Sequence, residues 1–234
     1  MTVALSALLS YFAYTRHFLT AAGSLAALFV ALDIGLLGSL SWLLLIIVFV
    51  ASAFITTRFR LLDKSRIGVQ EGRRGERGAI NVLANSLPAV IIATIHYVFP
   101  QHSPLLSFLY LVSIGAATAD TVASEIGVLD GNARLITNFR PVPRGTDGGV
   151  SLLGTVASGA SALFIVSAGY GLMSIFGQAP PFFMLPYAAL FGFLGSIVDS
   201  ILGAALERRA MIGKHLNNIS SIVIACLLAL LLVP

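Results

Sequence analysis

Apolar residues in this chain run in long blocks broken by short polar segments, with no sustained two-residue alternation. Seven blocks, at about 18–36, 38–57, 78–98, 105–127, 149–175, 183–206 and 215–233, approach or exceed the roughly 20 residues a helix needs to cross about 30 Å of hydrocarbon. A β-barrel would instead show roughly ten-residue segments of alternating polarity. The pattern predicts an all-α, polytopic transmembrane helix bundle of about seven spans, forming one integral-membrane domain over residues 1–234. Residues 1–15 are apolar but short, and they lack a basic leader and a small-residue cleavage site, so they predict an interfacial or half-inserted helix rather than a signal peptide.

Composition agrees. The chain is 57% hydrophobic and 10% charged, with mean hydropathy +0.94, whereas a soluble domain carries about a quarter charged residues. Cys226 is the one cysteine, which excludes an intramolecular disulfide.

The charges are sorted by loop. Between Arg58 and Arg77 lie Arg58, Arg60, Lys64, Arg66, Arg73, Arg74 and Arg77 against Asp63, Glu71 and Glu76, and the positive-inside bias makes such a loop cytoplasmic. Counting crossings from there puts Gly38, Pro100–Pro104 and Phe176–Pro181 outside, and none of these connections holds Lys or Arg. Arg16, Arg134, Arg140, Arg144, Arg208, Arg209 and Lys214 all fall inside. The net charge of +4 therefore reports orientation and anionic-headgroup contact rather than nucleic-acid binding. Asp33 falls near the external end of its span, where a carboxylate reaches water at modest cost. Small residues one turn apart, such as Gly154 with Ser158, Gly192 with Ser196 and Gly195 with Asp199, predict close helix packing.

Four segments carry polar groups that a lipid-facing helix would not. Asn81 and Asn85 share a face one turn apart, suited either to a common ligand or to interhelical hydrogen bonds. In Ala119–Gly127, Asp120 and Glu125 lie about 140° apart at roughly 100° per residue, so they cannot chelate one ion without partners from elsewhere. An unpaired carboxylate is costly in a bilayer, so Asp120 is expected at a wet cleft, meeting Mg²⁺ or a loop arginine. For both acids an ion pair with Arg134 or Arg140 is the structural alternative. The third segment, Arg134–Gly154, holds Arg140, Arg144, Gly145, Thr146, Gly148 and Gly149. A Gly-rich turn feeding a helix start can offer backbone N–H groups to a phosphate while arginines supply charge. Pro141 and Pro143 stiffen its approach, and it is not a GxxxxGK[ST] loop. In the fourth, Gly192–Ala204 followed by Glu207 and Lys214, Asp199 lies about two turns before the basic end. The spacing Gly195-x-x-x-Asp199-Ser echoes Ala116-x-x-x-Asp120-Thr and hints at two halves meeting at one site.

Val82–Asn85 (VLAN), Ala119–Gly127 (ADTVASEIG), Pro141–Gly154 (PVPRGTDGGVSLLG) and Gly195–Ala204 (GSIVDSILGA) occur in the order and spacing of the phytyl-phosphate kinase family, a group of small polytopic membrane proteins. The resemblance runs from about Thr15 to the C-terminus, and more distantly the chain resembles the CTP-dependent prenol and dolichol kinases. It implies a membrane-bound, Mg²⁺-dependent kinase that passes the terminal phosphoryl group of a nucleoside triphosphate, CTP in the first instance, to an isoprenoid monophosphate. Phosphoryl transfer needs positioning and charge neutralisation, and an acceptor that is already a phosphate needs no general base. Residue types and resemblance together suggest Asp120, Asp199 and Glu125 for Mg²⁺, and Arg134, Arg140, Arg144 and Lys214 for phosphates, with Gly145, Thr146, Gly148 and Gly149 in the turn. Asn81 and Asn85 would serve nucleotide or acceptor phosphate, and Asp120, Asp199 and Arg144 would be catalytic. The site would lie at the cytoplasmic face of the cell membrane. Two other classes use the same residue types: a transporter of a small anion or prenyl phosphate, and a cytidylyltransferase forming a CDP-linked lipid. Against transport, the external half of the spans is almost entirely apolar.

Overall fold

Each long apolar block becomes a helix. The computed structural model describes residues 1–70 and 75–232; Glu71, Arg73 and Arg74 of the basic loop lie outside the described residues. The order is α1 (Thr2–Thr15), α2 (Ala21–Asp33, continued by a π turn at Ile34–Gly38), α3 (Leu40–Arg58), α4 (Leu61–Arg66), α5 (Ala79–Val98) and α6 (Ser103–Gly127). A short hairpin, β1 (Arg134–Leu135) and β2 (Gly149–Val150), precedes α7 (Leu152–Ile175), α8 (Met184–Ala205) and α9 (Lys214–Leu232). Seven helical stretches among the described residues, those of α2, α3 and α5 to α9, are long and apolar enough to cross a membrane. Helix α1 is too short and packs on α2. Hydroxyl side chains start several spans: Thr20 accepts from Gly23 N at 3.1 Å, Ser39 from Trp42 N at 3.3 Å and Ser151 from Gly154 N at 3.1 Å.

Helix α6 is the hub. Buried residues make up 83% of its apolar stretch and no more than 44% of any other span, because α3, α5, α7, α8 and α9 all pack against it. Small side chains permit this. A Cβ added at Gly192 of α8 would lie 3.1 Å from the Gly115 backbone of α6, and one at Gly195 would come 2.5 Å from the Ala116 Cβ. The Ser158 and Ser196 hydroxyls join α7 to α8 at 2.5 Å. Toward the other end, Trp42 stacks on Tyr110 with ring centroids 4.2 Å apart, and the Tyr110 hydroxyl donates to Trp42 O at 2.8 Å, pinning α3 to α6. Alternating crossings bring the connections 59–78, 128–151 and 206–213 to one end of the bundle. That end carries the loop arginines and lysines, so the sorting of charge is also a sorting in space.

Candidate active site at the basic end of the bundle

The close crossing of α6 and α8 at Gly115 and Gly192 has a chemical consequence. Both helices run toward the basic end, and just beyond their crossing the carboxyl groups of Asp120 and Asp199 meet within hydrogen-bonding reach. The spacing echo between the two helices thus corresponds to a physical pair. The first turns of α9 complete the surroundings. Ser221 Oγ donates to Asp199 Oδ1 at 3.2 Å, and Asn217 Nδ2 donates to Asp199 O and to Glu207 Oε2, each at 3.1 Å. Lys214, also on α9, acts electrostatically on Asp120 and Glu207.

Asp120, Asp199, Glu207, Lys214 and Asn217 line a polar cleft of about 310 Å³. On the four helices its lining reaches no deeper than Asp120, Ser158, Ser196 and Asn218, so the cleft occupies only the basic half of the bundle. Among the described residues the lining contains five carboxylates (Asp120, Glu125, Asp147, Asp199, Glu207) and two cations (Arg144, Lys214). Two carboxyl groups brought together within the spans, Asp120 and Asp199, call for a cation or a charged partner.

The Gly-rich turn closes one side. Gly145 and Gly148 have φ of 77° and 71°, the left-handed region that favours glycine. Gly148 also lies so close to the Ala204 backbone of α8 that a Cβ there would collide with it. Ile136 N donates to Gly148 O at 3.0 Å and Gly149 N to Thr146 O at 2.8 Å, while Thr146 Oγ1 donates to Pro143 O at 2.7 Å. The glycines therefore shape the turn and seat it on α8. The expected row of outward N–H groups at the head of α7 is largely spent internally. Gly149 N–H closes the turn, Ser151 caps Gly154, and Leu153 N donates to Asp130 Oδ2 at 3.4 Å.

Glu125 belongs to a different device. Its Oε2 receives Lys64 Nζ at 2.7 Å, and its Oε1 receives Thr57 Oγ1 at 2.7 Å and Arg77 Nη2 at 3.4 Å. The Lys64 ammonium, fully buried, also donates to Thr56 O at 2.7 Å and Thr57 O at 3.3 Å. Glu125 borders the cleft, but its two oxygens already hold α3, α4 and Arg77, two residues before α5, to α6. The ion pair foreseen as its alternative forms with Lys64 and Arg77 rather than with Arg134 or Arg140.

A second cavity, apolar and about 220 Å³, lies between α1, α2, α3 and α5. Thr57, Arg77, Asn81 and Asn85 line its basic end. It shares a polar wall with the cleft: Thr57 and Arg77 bond to Glu125, and Asn218 Nδ2 donates to Asn85 Oδ1 at 3.4 Å.

The family model described as integral membrane protein DUF92 matches residues 4–226. The chain belongs to this family. It is 37% identical over 164 residues to an uncharacterized membrane protein of Synechocystis, covering 69% of the chain and 60% of that protein. It is 33% identical over 197 residues to Protein VTE6, chloroplastic, of Arabidopsis thaliana, covering 78% of the chain and 56% of that protein. It is 30% identical over 241 residues to Protein PGR of Arabidopsis thaliana, covering 91% of the chain and 82% of that protein. The chain thus spans about three fifths of the first two of these relatives. No solved structure matches. Family membership agrees with the phytyl-phosphate-kinase resemblance carried by the four motifs.

Of the residues singled out in the sequence, Asp120, Asp199, Arg144, Gly145, Thr146, Gly148, Gly149 and Lys214 all line the one cleft. Arg134 and Arg140 do not. Arg134 Nη1 donates to Phe139 O at 3.0 Å within its own hairpin, and both side chains are exposed. Asn81 and Asn85 face the apolar cavity instead, with Asn85 Nδ2 donating to Asn81 O at 2.9 Å. Sequence reasoning passed over Lys64 and Arg77 as anything beyond topology, and it missed Asn217, Asn218 and Ser221. A signal for the last three existed: Lys214-His-Leu-Asn-Asn-Ile-Ser-Ser221 is a polar opening on an otherwise apolar span.

Proposed function

We propose that the protein is a membrane-bound kinase that transfers the terminal phosphoryl group of a nucleoside triphosphate, CTP in the first instance, to an isoprenoid monophosphate of phytyl or geranylgeranyl type. An oxygen of the acceptor phosphate bonds to the γ-phosphorus, the bond from that phosphorus to the β–γ bridging oxygen breaks, and nucleoside diphosphate leaves with the prenyl diphosphate as the other product. The observation that carries this reading is the Asp120–Asp199 pair, set beside Lys214 and the Arg144–Gly149 turn in a cleft confined to one end of the bundle.

The donor set fits Mg²⁺. No group of three or more His, Cys, Asp or Glu among the described residues could hold a metal by itself, but Mg²⁺ is commonly bound by one or two carboxylates, with waters and substrate phosphates completing its shell. Asp120 and Asp199 would supply those carboxylates, and bound Mg²⁺ would neutralise charge on the triphosphate. Arg144 and Lys214, both in the lining, would hold phosphate oxygens, and the turn seated on α8 fixes where Arg144 starts. Asn217 and Ser221 orient Asp199. The cleft opens at the cytoplasmic face of the cell membrane, where the nucleotide is found, in keeping with the positive-inside bias. Its confinement to one half of the bundle weighs against transport across the membrane.

Purified protein in lipid, given Mg²⁺, CTP or another triphosphate and a panel of prenyl monophosphates, tests the proposal by its products. Nucleoside diphosphate with prenyl diphosphate is expected. Release of inorganic diphosphate would identify a cytidylyltransferase, and absence of nucleotide turnover would refute both enzymes.

A further inference from the structure

Resting on the reading of the polar cleft as a phosphoryl-transfer site, we propose that the apolar cavity between α1, α2, α3 and α5 is the acceptor site. It holds the single hydrocarbon chain of a lipid monophosphate, with the phosphate at Arg77. Along α3 its lining runs from Leu43 to Thr57, and fourteen steps of about 1.5 Å make a slot about 21 Å long, most of the depth of a bilayer core. A long slot of about 220 Å³ suits one acyclic chain better than a two-chain lipid.

Its charge is asymmetric. Arg77 is the one charged side chain in the lining among the described residues, and it sits at the basic end. Backbone pairing holds it there: Arg77 N donates to Phe18 O and Thr20 N to Arg77 O, each at 3.1 Å. Lys64 and Arg77 share the carboxylate of Glu125, so these three side chains together carry one more positive than negative charge. Arginine is the side chain best matched to a phosphate. Arg77 also lies within electrostatic reach of Asp120 through the shared wall. A phosphate on Arg77 would therefore lie at the end of the slot nearest Asp120, while its chain stays on the apolar side. Helix α1, tied to α2 by Ser10 Oγ donating to Ser24 O at 2.5 Å, forms one wall of the slot. The helix that cannot span the membrane thereby gains a role.

The test is photoaffinity labelling of the full chain in nanodiscs, without nucleotide, by a geranylgeranyl monophosphate analogue with a diazirine at the far end of its chain. Adducts are expected on α2 and α3 around Val30, Leu43 and Ile46. Unlabelled geranylgeranyl monophosphate should compete, and geranylgeraniol should compete at least about tenfold less well, because the alcohol forgoes the charge-assisted contact to arginine. Arg77→Gln should weaken labelling by a similar factor. In turnover, Ala27→Phe, which fills the slot, should raise the KM for the long-chain acceptor while leaving the KM for nucleotide nearly unchanged. Adducts confined to α7, α9 or the polar cleft, or no phosphate-dependent labelling at all, would overturn the assignment. Labelling needs no chemistry, so the two readings fail separately. Adducts in the slot without phosphoryl transfer would sink the kinase alone, and transfer with adducts elsewhere would sink the slot alone.

Discussion

Replacing Glu125 by Gln isolates what the buried Lys64–Glu125–Arg77 cluster contributes. The substitution keeps the side-chain shape and an acceptor for Thr57, but it leaves the Lys64 ammonium, 1% exposed and 2.7 Å from the carboxylate it loses, without a counter-charge. Removing one partner of a buried ion pair costs about 3–5 kcal/mol, most of it the penalty for the stranded charge. At roughly 2–4 °C per kcal/mol for a chain of this size, Tm in a fixed detergent should fall by on the order of 10 °C. Adding Lys64→Met removes the stranded charge, and Arg77, at 15% exposure, can turn toward water. The double variant should therefore recover at least half of the loss, an epistasis that additive damage to packing would not produce. Melting curves for wild type, both single variants and the double variant in one detergent provide the measurement. A Glu125→Gln protein that melts with wild type, or a double variant less stable than Glu125→Gln, would refute the view of Glu125 as a strut.

Three further outcomes are expected. Asp120→Asn and Asp199→Asn should each abolish turnover while leaving yield and melting temperature close to wild type, since an amide keeps the shape and loses the charge for Mg²⁺; near-normal rates in either would make that carboxylate structural. Arg144→Gln should raise the KM for nucleotide about tenfold or more, whereas Arg140→Gln, on an exposed side chain outside the cleft, should stay within about twofold of wild type in steady-state kinetics; equal effects would contradict the placement of the two arginines. In a Cys226→Ala background, cysteines at Arg140 and Arg208 should react with an impermeant thiol reagent from the cytoplasmic side and one at His102 from the other; reaction of position 102 together with 140 would break the crossing count.

Much of the architecture follows from local chemistry. Blocks of apolar residues long enough to span hydrocarbon must become helices, because no water is present to satisfy the backbone otherwise, and the basic connections already sort the ends. Small residues at Gly192, Gly195 and Ser196 announced close packing, and the echo around Asp120 and Asp199 hinted at their meeting. Which side chain of a cluster points where was a different matter. Arg140 and Arg144 are alike in type and nearly adjacent, yet only the second lines the cleft, because the hairpin and the seating of Gly148 on α8 turn the loop. Glu125 read as readily as a metal ligand as an ion-pair partner, and contacts 61 residues away to Lys64 and 48 away to Arg77 made it a strut. Asn81 and Asn85 share a face by helical geometry alone, but only the packing of α1, α2 and α3 around α5 decided that this face looks into an apolar slot. Sequence by itself determined span, polarity and the kinds of groups available, since these depend on neighbours within a turn or two. Tertiary structure decided their company, because pairing across a membrane bundle depends on how helices cross, and no local pattern encodes that.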